Sequence, residues 1–235
     1  MSQEFDSEPP QAYLRLREKF PPGGCGPVVA PRLGELTRVL AASRPAGVFL
    51  CQGPGAGEMG TWVLGGMDLA SRLVVVVQGG DEADMLVKVF DGDLRVTVHV
   101  QDAVAFLDDV RDHRFDLITD LSPGRPTELS RLALARLAPG ALYMTRHSTA
   151  GLKRILSAQD TAAGNHELAP ELAPELAPEL AMDSNSFALA YLPGELDVTL
   201  IARGPQKIRA RRRGGRRARQ GVTPLFSSRP RSAGD

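Results

Sequence analysis

The chain has 235 residues, 43% of them hydrophobic, and its 28 basic residues balance 28 acidic ones. That length supports one sizeable core and is too short for two domains of ordinary size. No run of eighteen apolar residues offers a membrane span, and the acidic, proline-bearing start (Glu4, Asp6, Glu8, Pro9, Pro10) lacks the basic and apolar regions of a signal peptide, so a soluble cytoplasmic protein is expected.

The even charge balance hides an asymmetry. Arg203 and the residues after it hold 11 basic side chains and a single acid, Asp235, which leaves the preceding body with a net charge of about −10. Cys25 lies in a Gly/Pro loop and Cys51 in an apolar run, without CxxC spacing or a neighbouring His, so neither a disulfide framework nor a zinc site is indicated.

Residues 1–30 are rich in Pro and Gly and read as a loosely ordered lead-in, with one short candidate helix around Ala12 to Phe20. A helix follows from Pro31, where Leu33, Leu36, Val39 and Leu40 recur at helical spacing behind a proline suited to a first turn. Five apolar runs then read as strands: Val48 to Cys51, Leu73 to Val77, Val96 to Val100, Phe115 to Thr119 and Leu142 to Thr145. Helical stretches alternate with them near 58–69, 81–90, 103–111 and 126–138. Val74 to Val77 is apolar on both faces, as a central parallel strand covered by helices on each side requires.

A further helix is expected near 149–158. It leads to residues 167–181, where Glu-Leu-Ala-Pro occurs three times before ending as Glu-Leu-Ala. Proline at every fourth position forbids a continuous helix, so this stretch reads as a low-complexity surface insertion. Phe187 to Leu192 and Val198 to Ala202 flank a turn-rich linker and predict a closing antiparallel hairpin. The expected fold is therefore an α/β, Rossmann-like, doubly wound and mostly parallel sheet over residues 31–203, with a C-terminal antiparallel hairpin. Residues 204–235 form a basic tail whose composition predicts disorder. Its arginines suit RNA phosphates or an acidic protein surface, including that of its own body.

The segment Cys51-Gln52-Gly53-Pro54-Gly55-Ala56-Gly57-Glu58 follows the first strand and opens a helix, where open α/β sheets bind ligands. A dinucleotide fingerprint would need glycine at Glu58, and a P-loop would need Lys before Thr61. Both classes are disfavoured, leaving another anionic ligand at the helix N-terminus or a tight turn without a ligand.

On these residues the chain resembles the class I S-adenosylmethionine-dependent methyltransferases, and among them the O-methyltransferases of the caffeoyl-CoA and catechol types. The motifs that carry the resemblance are VFLCQGPGAG, LVVVVQ, VHVQDAVAFL, FDLITD, LAPGALYMT and the hairpin FALAYLP with LDVTLIAR. The resemblance implies S-adenosylmethionine as cofactor, a small hydroxylated acceptor as partner and methyl transfer to oxygen. It also implies that Gly53, Gly55 and Gly57 cradle the methionine portion, that Asp102 and Ala103 contact the adenine, and that Asp120 lies near the reacting centre. The residues alone equally suit Asp102 as an N-cap for the helix at Ala103.

Two positions that are acidic in the family are amides here, Gln52 after the first strand and Gln78 after the second, and both are assigned to the cofactor site. The chain end of the fifth strand, Thr145-Arg146-His147-Ser148, has Arg146 where metal-dependent members carry a metal carboxylate, so no catalytic metal is expected. His147 is the candidate general base, with a surface or capping role as its alternative. Arg146 suits an anionic substrate or a surface ion pair. Three functions stand: a metal-independent O-methyltransferase, an RNA methyltransferase using the basic tail, and a non-catalytic binding module on the same scaffold. A homodimer is compatible with each.

Overall fold

A computed structural model describes residues 8–19, 29–123, 128–153, 156, 187–193 and 196–204. The described elements are α1 (Gln11–Lys19), α2 (Pro31–Ala42), β1 (Val48–Gln52), α3 (Ala56–Gly66), β2 (Arg72–Val77), α4 (Gly80–Phe90) and β3 (Val96–Val100), followed by α5 (Ala103–Asp109), β4 (Phe115–Asp120), α6 (Glu128–Ala135), β5 (Leu137–Thr145), β6 (Phe187–Leu192) and β7 (Val198–Arg203). Residues 149–153 are helical as well. The Glu-Leu-Ala-Pro repeat, Cys25 and the tail from residue 205 lie outside the described residues.

One seven-stranded sheet has the order β3-β2-β1-β4-β5-β7-β6. The first five strands in chain order run parallel, and β7 pairs antiparallel with both β5 and β6. The doubly wound sheet and its C-terminal hairpin are thus as the alternation of apolar runs predicts. Because β2 and β4 flank β1 on opposite sides, the chain reverses its winding there, and the loop after β1 opens at the topological switch point.

Alternating side chains divide the core between the two faces. Phe49, Cys51, Leu73, Val75, Leu117 and Met144 face one core, which takes in α1 to α4. Leu50, Val76, Ile118, Tyr143 and Ile201 face the other, against α5, α6 and Leu152. Both faces of the central strands are covered, which accounts for the unbroken apolar run in β2.

The short helix expected in the lead-in is α1, which packs onto the sheet-and-helix body. In α1 the side chains of Ala12, Tyr13 and Leu16 are buried, and the Tyr13 ring lies 5.0 Å from that of the fully buried Trp62 in α3. The helix expected near 126–138 also ends early, at Ala135, and β5 begins at Leu137 instead of Leu142. Gly140 adopts φ +78, a left-handed conformation that glycine accommodates without penalty, and the pairing of β4 with β5 jumps from Phe115↔Leu137 to Leu117↔Leu142. Pro139 and Gly140 read as a break in sequence because this bulge is set by pairing with a distant strand.

Candidate active site

The carboxyl ends of the strands bring four polar residues into one row. Register places Gln52 of β1 opposite Asp120 of β4, Asp120 opposite Thr145 of β5, and Thr145 opposite Thr199 of β7. All four are buried, as is His147 two residues past the end of β5. Polar side chains in such surroundings need partners: Thr145 and Thr199 find theirs on the His147 backbone, and Asp120 finds its own on Ser122 and Tyr143.

Asp120 is the centre of the cluster. Its Oδ1 accepts a hydrogen bond from the Ser122 amide at 2.9 Å, and its Oδ2 accepts one from the Tyr143 hydroxyl at 3.1 Å. The Tyr143 oxygen also lies 3.4 Å from the Ser130 hydroxyl on α6. His147 Nε2 stands 3.7 Å from Asp120 Oδ2, an ion-pair distance longer than a hydrogen bond. Burial is the strongest single influence on Asp120 and opposes its charge, but the combined pull of His147 and Ser122 outweighs it and holds the carboxyl below its ordinary range. Burial likewise pushes the Tyr143 hydroxyl up, and the Asp120 charge adds to that, so the phenol keeps its proton and donates.

The backbone of His147 is fixed from two sides. Its amide donates to Thr145 Oγ1 at 3.2 Å, and its carbonyl accepts from Thr199 Oγ1 at 3.1 Å. The hairpin strand β7 therefore positions the residue that follows β5. The surface alternative for His147 is ruled out by its burial, with 2% of its surface exposed. Arg146 beside it is half-buried, and its buried Nε has no hydrogen-bond partner among the described residues.

The glycine loop crosses directly against this cluster. Gly53 has φ +74, and a Cβ built there would lie 2.6 Å from Asp120 Oδ1 and 2.9 Å from the Ser122 hydroxyl. No other residue fits. Gly55 serves as the N-cap of α3; the Ala56 amide donates to the Gly53 carbonyl at 3.1 Å, and no side chain caps the next amides of the first turn, those of Gly57 and Glu58, which suits an anion. Gly57 has a packing role as well: a Cβ there would meet the Leu86 side chain of α4 at 2.5 Å, so only glycine lets that side chain lie against α3.

Glu58, the residue that argues against a dinucleotide, turns toward the lead-in, where its Oε2 accepts from the Val29 amide at 3.0 Å. Gln52 is 1% exposed, and both its amide oxygen and nitrogen lack partners among the described residues. Gln78 lies exposed just past β2. Asp102 caps α5, accepting from the Val104 amide at 2.9 Å and the Ala105 amide at 3.1 Å, while Ala103 is buried against the second core. The structure thus gives Asp102 the capping role, and its exposure leaves an edge open to a ligand.

Burial pushes the Cys51 thiol up to about 12 despite a bond with Thr119, so it is no nucleophile. Among the described residues no group of three or more His, Cys, Asp or Glu side chains is placed to hold a metal ion, and no helix is long and apolar enough to cross a membrane.

No family model matches the chain, and no curated protein matches its sequence. Its shape is matched by solved structures. A methyltransferase from Geobacter sulfurreducens superimposes with a TM-score of 0.54 at 18% identity, covering 82% of this chain and 87% of that one. The O-methyltransferase TomG from Streptomyces achromogenes, involved in tomaymycin synthesis and crystallised with SAM, gives 0.53 at 19% identity with the same coverage. This chain has the Rossmann-like methyltransferase fold. An O-methyltransferase from Bacillus cereus in complex with SAH agrees, at 0.52 and 16% identity over 81% of this chain and 87% of that one. At such identities the likeness is one of fold.

Within this methyltransferase fold, Tyr143, Ser130, Ser122 and Thr199 belong to the cluster and were not legible as site residues. Tyr143 sits in an apolar run whose hydroxyl partner is 23 residues away. Its signal in sequence is only a phenol flanked by strand residues opposite a strand that ends in Asp.

Proposed function

We propose that the chain is an S-adenosylmethionine-dependent methyltransferase that methylates a hydroxyl oxygen on a small acceptor without a metal ion. The observation that carries this reading is the Gly53 loop, pressed against Asp120 at the switch point of a Rossmann-like methyltransferase fold. The residues present fit the cofactor in three respects. The uncapped N-terminus of α3 suits the carboxylate of an amino acid. The orphaned amide of Gln52 offers a donor and an acceptor that otherwise destabilise the fold by about 1–3 kcal/mol. Gln78 lies exposed past β2, where ribose hydroxyls would accept or donate.

When bound, the cofactor supplies an electrophilic methyl group on a sulfonium. The chain then has to seat the acceptor in line with it and take up the hydroxyl proton. His147 is the base in this reading, and ionised Asp120 stabilises the imidazolium that results. Because His147 is almost wholly buried, an acceptor reaches it only after shedding water, which strengthens the hydrogen bond that precedes proton transfer. Arg146, with no carboxylate bound to it among the described residues, would orient an anionic group on the acceptor.

The test is transfer of a labelled methyl group to a panel of phenols and catechols in the presence of a chelator. Turnover that His147→Gln reduces by about 100-fold or more supports the reading. A second reading, a binding module without turnover, is favoured by the amides at 52 and 78 and by the burial of Asp120. It predicts no transfer in that assay and a gain in cofactor affinity when Gln52→Glu and Gln78→Asp are combined.

A further inference from the structure

Asp120 Oδ2 serves two neighbours at once. The Tyr143 hydroxyl donates to it at 3.1 Å, and His147 Nε2 faces it at 3.7 Å. The other carboxylate oxygen is committed to Ser122. Tyr143 is fully buried in the middle of the sheet, and its oxygen is also within 3.4 Å of Ser130 on α6, so the phenol cannot swing away without losing packing. Three elements, β4, β5 and α6, thereby meet at one oxygen atom.

We propose that Tyr143 is a positioning residue that sets the proton affinity of His147 through Asp120, with Ser130 holding the phenol in place. The physical argument is competition for a single charge. A hydrogen bond from Tyr143 satisfies part of the Oδ2 charge and leaves less of it for an imidazolium at 3.7 Å. Without that hydroxyl, Asp120 remains ionised near neutral pH, and His147 becomes the group that compensates it. Thr145 and Thr199 do not offer the same control, because both are uncharged and engage the His147 backbone.

This inference rests on the reading of His147 as the base for its functional meaning, but its physical content can be tested without cofactor or acceptor. The experiment is an NMR titration of the His147 ring in the full chain, assigned with His147→Gln, for the native protein, Tyr143→Phe and Ser130→Ala. Phenylalanine keeps the buried ring and removes only the hydroxyl. The expected result is a rise in the His147 midpoint of about half to one pH unit in Tyr143→Phe, a three- to tenfold gain in proton affinity, with a smaller rise in Ser130→Ala. A merely structural role for Tyr143 would lower stability and leave the midpoint in place.

An unchanged or lowered midpoint in whichever variant folds overturns the proposal. So does a His147 that fails to titrate between pH 5 and 9 in the native chain. With cofactor and an accepted phenol, the acid limb of kcat/KM should shift by the same amount. If the NMR midpoint moves and this limb does not, His147 is coupled to Tyr143 but is not the base, and it is the proposed function that fails.

Discussion

Gly53 and Asp120 are packed so closely that any side chain at residue 53 would collide with the carboxylate, at 2.6 Å from Oδ1. The positive φ at Gly53 adds a second penalty for any other residue. Gly53→Ala should therefore lose about 2 kcal/mol in urea unfolding and bind cofactor at least tenfold more weakly. Gly57→Ala should destabilise by about 1–3 kcal/mol through Leu86 and leave binding nearly intact in the folded fraction. A Gly53→Ala protein with native stability and affinity would show that the loop does not press on the site.

Gln52 links stability to function in the opposite sense. Its amide is buried without partners, and replacing such a group by an apolar one of similar shape is neutral or stabilising. Gln52→Met should stabilise the cofactor-free protein by about 1 kcal/mol and weaken S-adenosylmethionine binding. Lower stability in thermal unfolding would mean that the amide is satisfied in solution.

The acid limit of stability should depend on Asp120. Its carboxyl is held below the ordinary range in the folded chain, so it contributes stability that is complete above the unfolded value near 4 and is lost as pH falls through the lower folded value. Asp120→Asn should flatten the dependence of Tm on pH below about 4. It should also lower Tm at pH 7, where the charge interaction is fully present. An unaltered acid limb would place the responsible carboxylate elsewhere.

The capping role of Asp102 gives a clean separation of structure from binding. Asp102→Ala removes two bonds to the first turn of α5 and should destabilise by about 1 kcal/mol. If the side chain only caps, cofactor affinity measured by calorimetry changes less than threefold. A larger loss would add adenine contact to the cap.

The sheet was legible because its signals are local. The run Val48 to Cys51 followed by Gly53-Pro54-Gly55 announces a strand, a tight turn and a helix, and Asp102 before Ala103 announces a capped one. What escaped depends on distant partners. The bulge at Gly140 is imposed by β4, Glu58 meets Val29 across 29 residues, and the Tyr143 phenol finds Asp120 only once β4 and β5 lie side by side. His147 was legible by position alone; its burial and its strap to Thr199 come from the hairpin, 52 residues away.

The proposed function requires the Gly53 edge of the sheet to take S-adenosylmethionine, and isothermal calorimetry on the full chain tests that most directly. It predicts saturable binding of one cofactor per chain, with Kd between about 1 µM and 1 mM, weakened by Gly53→Ala. No heat of binding at millimolar cofactor, with a protein shown to be folded, would contradict it.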